Sequence, residues 1–345
     1  MSGVNQGPLG VLREGWSTTV ADYAIAGGWS RGGELLVVAD AAGGVHGLDR
    51  TSGATAWSQS GCHGDGLLAL AFHPDGSRFA TAGQDGRVLL WTVSGEVTHR
   101  VDVGSGWVEH LRWSPDGAWL AVTCSREVVV LDAEGAITWR SDAHPSTVSA
   151  IAWAGPDELA TACYGQVSFF QVSTGETSQT LEWRGSLVSM VLSPDGDIVA
   201  CGSQDNSVHF WRRSTGQDSM MSGYPGKPSA LSFDDTGSLL ATSGSPSVTV
   251  WNFAGEGPEG TRPGVLELHE RPITALAFAP GVKKLASGAR DGMVTVWSLN
   301  NDGDGGPIGA AIVGDTIASV AWRPDGRALA ALDRRGGVTV WRVGQ

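Results

Sequence analysis

The chain lacks helical periodicity: no run of about ten or more residues repeats its apolar positions every three or four, so no amphipathic helix is expected. Nor does it approach the roughly 18 consecutive apolar residues of a membrane-crossing helix. The opening MSGVNQGPLG has neither the basic head nor the apolar core of a secretory leader. A soluble, cytoplasmic protein is expected. Cysteine is scarce, with Cys62, Cys124, Cys163 and Cys201 in 345 residues, too few for the disulfide framework of a small secreted domain, so free thiols are expected. Charge is scarce as well. Asp, Glu, Lys and Arg make up 17% of the chain and sum to a net charge of -13, which repels phosphate backbones and anionic membrane surfaces and weighs against both as partners. The catalytic signatures GxSxG, GxxxxGK[ST] and HExxH are missing, as are closely spaced Cys/His pairs of the zinc type. The acidic run NNDGDGG (300–306) lacks the third acidic position and the distal Glu of a calcium loop, and reads as a connection between strands. No catalytic residue, metal or cofactor is expected.

What the chain has in abundance is glycine, 50 residues, and tryptophan, 15. They fall into a repeat. A turn of the type HPDG (73–76) returns as SPDG (114–117), SPDG (193–196) and RPDG (323–326), with looser copies SRGG (30–33), GPDE (155–158), DDTG (234–237) and APGV (279–282). Just before each turn stands a large apolar residue: Trp29, Phe72, Trp113, Trp153, Leu192, Phe233, Phe278 and Trp322. A second series keeps the same register: Leu48, Trp91, Leu131, Phe170, Trp211, Trp251, Trp297 and Trp341. The period is about forty residues. Between the anchors lie short β-rich runs such as LLALAF, RFATAG and RVLLW, separated by PDG and QDG, whose residues supply turn dihedrals at low cost.

Four short strands per unit of this length is the pattern of a propeller blade. HPDGSRFATAGQDGRVLLW (73–91), SPDGDIVACGSQDNSVHFW (193–211) and KKLASGARDGMVTVW (283–297) resemble the WD-repeat β-propeller family, and the resemblance covers nearly the whole chain. No unit ends in a literal Trp-Asp pair; the nearest are Leu48-Asp49 and Leu131-Asp132. The expected fold is all-β, a single propeller (1–345) of four-stranded antiparallel blades. Eight blades are expected, with seven the alternative, from units at about 20–60, 61–103, 104–143, 144–182, 183–223, 224–265, 266–312 and 313–345. The chain stops just after the third strand of unit 8, so an N-terminal strand at 11–17, VLREGWS, is expected to close the last blade and remove two open edges.

The reactive-looking residues occur twice. His63, Thr81, Asp85 and Trp91 in unit 2 match His269, Ser287, Asp291 and Trp297 in unit 7, whereas a single active site would not be duplicated. The resemblance implies that each set is a structural tetrad hydrogen-bonded across a blade. Partial sets remain elsewhere: unit 4 keeps His144 and Thr161, and unit 5 keeps Asp205 and Trp211 with Cys201 at the hydroxyl position. Cys124, Cys163 and Cys201 read as small buried residues, and only Cys62, beside His63, has a plausible exposed setting.

Candidate binding residues are then those that vary between blades at the turn leading into the first strand, which the resemblance places on the narrower face. At the tetrad-His position units 5 and 6 carry Trp183 and Tyr224, expected as exposed aromatics. Two residues on, Asp22, Asp65 and Asp315 belong to units 1, 2 and 8, neighbours only in a closed ring, and Tyr23 and Trp107 follow. An acidic and aromatic arc suits a basic peptide or loop. Arg184, Lys227 and Arg271 form an opposing basic arc, suited to a phosphopeptide or, against the net charge, nucleic acid; Gln84 and Arg290 adjoin the tetrad aspartates. The expected function is a non-enzymatic scaffold or adaptor for protein partners, the alternative a propeller enzyme or small-ligand binder using the central channel.

Overall fold

A computed structural model describes residues 9–10, 12–64 and 66–344. No helix occurs among them, and the repeat units are built alike. In unit 2, Leu67–Phe72, Arg78–Gly83, Arg87–Thr92 and Val97–Asp102 form an antiparallel sheet in chain order, with Phe72 opposite Phe79 and Phe79 opposite Trp91. The reversals fall at glycine. Gly86 sits at φ 70°, and a β-carbon there would strike the Gly104 carbonyl oxygen, so both conformation and space require glycine. The two central strands of the sheet are almost wholly buried, while the fourth is mostly exposed. First strands of successive units lie beside one another around the whole molecule, Ile317–Trp322 next to Ala24–Trp29 included. The ring is thus closed, with first strands inside and fourth strands at the rim.

The core sits between units. One cluster joins Ala80, Val88 and Leu90 of unit 2 to Leu111, Trp113 and Val129 of unit 3; another joins Leu36 and Val38 of unit 1 to Ala330 and Val338 of unit 8. The first anchor series has a defined job wherever it is tryptophan. Each indole N–H donates to the inner-strand carbonyl of the preceding unit: Trp113 to Ala71 at 3.2 Å, Trp153 to Arg112 at 3.0 Å, Trp322 to Ala277 at 2.9 Å. Across the seam Trp29 makes the same bond to Ala321 at 3.1 Å. An apolar body packed between sheets and a polar edge satisfied by an inner-strand carbonyl is the use for which indole is suited.

At the seam, Leu12–Thr19 runs antiparallel to Gly337–Val343, from Leu12 opposite Val343 to Thr19 opposite Gly337, and is the fourth strand of the last unit's sheet. It extends two residues past the expected 11–17, and Val11 lies outside the described residues. Leu9–Gly10 adds a fifth strand to unit 7, pairing with Ala310 and Gly309. The N-terminal segment therefore bridges two units.

The expectation of eight separate blades is corrected: the described strands form seven sheets. Units 4 and 5 share one continuous sheet, from Ala150–Trp153 to Gln217–Met221. The reason is local. The Thr161 hydroxyl meets the Ser168 carbonyl, so the chain folds back at Tyr164-Gly165, with Gly165 at φ 89°. Ladder pairing carries straight through this tight reversal, as Tyr164 opposes Ser186. The returning strand Glu176–Leu192 then passes from the rim of unit 4 to the inside of unit 5 without a break, because Glu182-Trp183-Arg184-Gly185 has no proline to end it. The boundary expected at 182/183 falls inside this strand. Counted as hydrogen-bonded sheets, the ring has seven blades, one of them double.

Leu12, on the strand that closes the ring, is 0% exposed and packs in one cluster with Val296 of unit 7 and Leu329 and Trp341 of unit 8. Leu12→Ala should lower stability by about 2–5 kcal/mol, the usual range for a buried leucine truncation. Urea unfolding checks this, and a loss under 1 kcal/mol would show that the seam contributes little.

Candidate functional site

The third strand of unit 2 carries Trp91, the second Thr81, and the turns above them Asp85 and His63. Trp91 Nε1 donates to Thr81 Oγ1 at 2.9 Å, Thr81 Oγ1 lies 2.9 Å from His63 Nε2, and His63 Nδ1 lies 3.0 Å from Asp85 Oδ1. One assignment satisfies every group: the threonine hydroxyl donates to Nε2, and Nδ1–H donates to the carboxylate. His63 is then neutral, in keeping with burial, which lowers its pKa against the pull of Asp85. Burial works to raise Asp85, but hydrogen bonds from His63 and from the Arg87 and Gly64 amides hold it below the usual carboxylate value. The Asp-His-Thr order resembles a nucleophilic triad. It cannot act as one in this arrangement, since Thr81 is 0% exposed and its hydroxyl is committed at both ends.

Unit 7 repeats the set more loosely. Trp297 Nε1 and His269 Nε2 each lie 2.7 Å from Ser287 Oγ, but His269 Nδ1 is 3.5 Å from Asp291 and makes no hydrogen bond. In unit 4, His144 bonds Thr161 at 2.9 Å and, in place of an aspartate, the Arg126 carbonyl at 2.9 Å.

Two aromatics expected to be exposed are instead bracing, and this is a correction. Tyr224 replaces the histidine of unit 6: Trp251 Nε1 donates to its hydroxyl at 2.8 Å, which lies 2.8 Å from Thr242 Oγ1. A phenol reaches the buried hydroxyl as an imidazole does, so its ring is held inward. In unit 5, Trp183 stacks on His209 at 3.9 Å, and His209 meets Trp211 edge-on at 4.2 Å. Cys201 cannot span the gap as threonine does, and stacking fills it, leaving the Trp183 Nε1 buried without a partner.

Three of the cysteines are held away from activation. Burial raises Cys62, Cys163 and, most of all, Cys201, so these thiols stay protonated at neutral pH. Among the described residues no group of His, Cys, Asp and Glu could hold a metal ion. In the 300–306 run, Asn300 Oδ1 accepts the Asp302 and Asp304 amides at 2.9 and 3.0 Å, closing a turn between strands.

The turns between second and third strands, and those leading into first strands, share one face of the ring with the tetrad histidines. Tyr23 and Trp107, in units 1 and 3, are each 54% exposed there. Asp22 is exposed and caps the Tyr23 amide at 2.7 Å. Asp315 is committed elsewhere: Arg335 Nε lies 2.9 Å away and the Thr316 amide donates to it at 2.6 Å. Asp65 lies outside the described residues. Arg184, Lys227, Arg271 and Arg290 are exposed on the same face, and Gln84 is half-buried, its backbone N–H bonded to the Gly66 carbonyl. Sequence reasoning missed Tyr164 of unit 4, the most exposed of the three aromatics at 57%. A signal was present: a two-residue hairpin turn has no interior in which to hide a phenol.

Comparison with known proteins agrees with this geometry. The family model described as WD domain, G-beta repeat matches residues 57–92, 96–130, 175–212 and 260–298. Actin-interacting protein 1 of Caenorhabditis elegans is 25% identical over 253 residues, covering 70% of this chain and 41% of that protein. Autophagy-related protein 16 of Arabidopsis thaliana is 24% identical over 306 residues, covering 86% and 59%. Protein hir1 of Schizosaccharomyces pombe is 25% identical over 338 residues, covering 79% and 35%. The chain therefore spans between about a third and three fifths of the length of these relatives. The crystal structure of the computationally designed Ika8 protein superimposes with a TM-score of 0.83 at 22% identity, covering 96% of this chain and 100% of that one, a likeness of fold alone. Closed ring, repeated blades and matched repeats define a β-propeller built of WD repeats. In its matched repeats and in its fold the chain resembles the WD-repeat β-propeller family.

The tetrads generate two predictions. Thr81→Val strands two buried partners at roughly 1–3 kcal/mol each, so a loss of about 2–6 kcal/mol is expected in denaturant unfolding. The histidines predict the response to acid. Burial lowers the pKa of His63, His144, His209 and His269, and takes His110 to about 4. The unfolded chain, titrating near 6.5, then binds more protons than the folded one, so stability is full above that value and falls as pH drops below it. Tm measured from about pH 7 down to about pH 5 should decline steadily, and a flat profile would contradict the neutral-histidine assignment.

Proposed function

We propose that this chain is a non-enzymatic scaffold that holds a protein partner on the face bearing Tyr23, Trp107 and Tyr164. The single observation that carries the reading is that three large aromatics, each more than half exposed, stand on one face of a ring whose other large aromatics are packed or bonded. Exposed Tyr and Trp are the side chains that dominate interface energetics, because they bury much area at low entropic cost. Asp22 beside Tyr23 favours a segment bearing Lys or Arg, through charge pairing and cation-π contact. The position of Asp315 against Arg335 narrows the acidic arc toward unit 1. WD-repeat relatives that include an actin-interacting protein support an interaction role, and the buried, duplicated tetrads support the absence of catalysis.

The test is affinity purification from the native cell with the full chain as bait. The triple change Tyr23→Ala, Trp107→Ala, Tyr164→Ala should lose most partner recovery while keeping the parent's melting temperature, because all three side chains project into solvent. Asp22→Asn should weaken recovery mainly at low salt. Undiminished recovery by the folded triple variant would overturn the assignment of this face.

A further inference from the structure

The opposite face carries a feature that runs against the charge of the whole chain. The turns between first and second strands and between third and fourth strands meet there, and at the seam between units 8 and 1 they enclose a cleft of about 540 Å³. Four arginines line it: Arg323 and Arg327 from one turn, Arg342 from the third strand of unit 8, and Arg50 from unit 1. Among the described residues no acidic side chain lines it, although acidic residues outnumber basic ones 36 to 23 in the chain. The floor is apolar and fixed. Trp16 is buried there, its indole N–H donating to the Arg50 carbonyl at 2.8 Å, with Ala328 and Val340 buried beside it.

The arginines are not equally engaged. Asp325 holds Arg323 by a fork of two bonds at 2.9 and 2.8 Å, and Glu34 approaches Arg50 only to 3.9 Å. Arg327 and Arg342 have no side-chain partner among the described residues, and both are exposed. Arg342 also lies directly opposite Arg13 in the antiparallel pair that closes the ring. Like charges placed directly across strands are destabilising. Arg13 does not line the cleft, but an anion held there beside Arg342 offsets part of this repulsion at the seam.

We propose that this cleft binds a phosphate monoester dianion, with Arg327 and Arg342 as its principal ligands. A single carboxylate would satisfy one guanidinium fork, whereas a phosphate monoester offers three acceptor oxygens and two charges to two forks at once. The volume falls within the range of small-ligand sites. The net charge of -13 opposes long polyanions and anionic membranes, but charges farther from the cleft than a Debye length of about 8–10 Å are largely screened for a compact ion, while arginines a few ångströms from it are not. The dianion can be free or borne by a phosphorylated segment of a partner. The site lies on the face away from Tyr23, Trp107 and Tyr164, so its failure would leave that reading untouched.

Isothermal titration of the full chain at constant ionic strength tests it with three probes: free O-phosphoserine, a short neutral peptide carrying one phosphoserine, and the same peptide with serine. The parent should bind both phosphorylated probes and ignore the serine peptide. The Arg327→Gln, Arg342→Gln double variant should lose affinity by about a hundredfold, taken as roughly tenfold for each fork. Arg342→Lys should lose most of one fork's contribution, since lysine keeps the charge without the geometry. Arg100→Gln, on the outer strand of unit 2, should bind as the parent does. Tighter binding of the peptide than of free phosphoserine would identify a phosphorylated partner as the source, and equal binding a small phosphate monoester. Binding of phosphoserine unchanged in the double variant, no binding by the parent, or equal binding of the serine peptide would each overturn the proposal.

Discussion

Closing the ring is the interaction on which the rest of this structure depends. A four-stranded sheet has two apolar faces and two unpaired edges, and a linear stack of such sheets would leave both end faces exposed. Here Leu12–Thr19 pairs with Gly337–Val343, and the Trp29 indole reaches back to Ala321 across the same seam. Each of these joins residues roughly 300 positions apart. With the seam shut, every unit has a neighbour on each side, and Trp113, Trp153 and Trp322 repeat the bond that Trp29 makes at the join.

Because units stack face to face, the polar groups caught inside a blade must be satisfied there, and the chain does so in more than one way. Unit 2 uses the full Trp-Thr-His-Asp relay; unit 4 substitutes a backbone carbonyl for the aspartate; unit 6 substitutes a tyrosine for the histidine. Unit 5 gives up the relay and stacks Trp183 on His209. Burial favours the neutral form of His63, His144 and His269 and the protonated form of Cys62, Cys163 and Cys201. The two faces present different surfaces: aromatic with an acidic flank on one, arginine-lined at the seam on the other.

The seam ties these surfaces together. Asp22 and Arg50 both belong to unit 1, and Asp315 and Arg342 both to unit 8, so the join places contrasting charge at opposite ends of the same pair of sheets. Wherever the ring is held shut by strands distant in sequence, a ligand that spans the join adds to closure by binding only the closed form.

Much of this was open to reading from the residues alone. The PDG turns and the spaced tryptophans determined strands, units, register and a ring, because turn chemistry and a period of about forty residues are local properties. The matching of His63 with His269 and of Thr81 with Ser287 marked the tetrads as architecture. What the tertiary structure decided was everything that turns on which side chain meets which. Trp183 and Tyr224 look alike in the alignment of units to exposed aromatics, yet each is drawn inward by a buried neighbour contributed from another strand. Tyr164 is pushed outward by a turn too short to cover it, and the same tight reversal merges two units into one sheet. Arg50, Arg323, Arg327 and Arg342 are scattered through the sequence as unremarked surface charges, and only closure of the ring brings them around one cleft. Local periodicity is encoded within a unit; convergence of charge is a property of the seam, and the seam exists only in the folded ring.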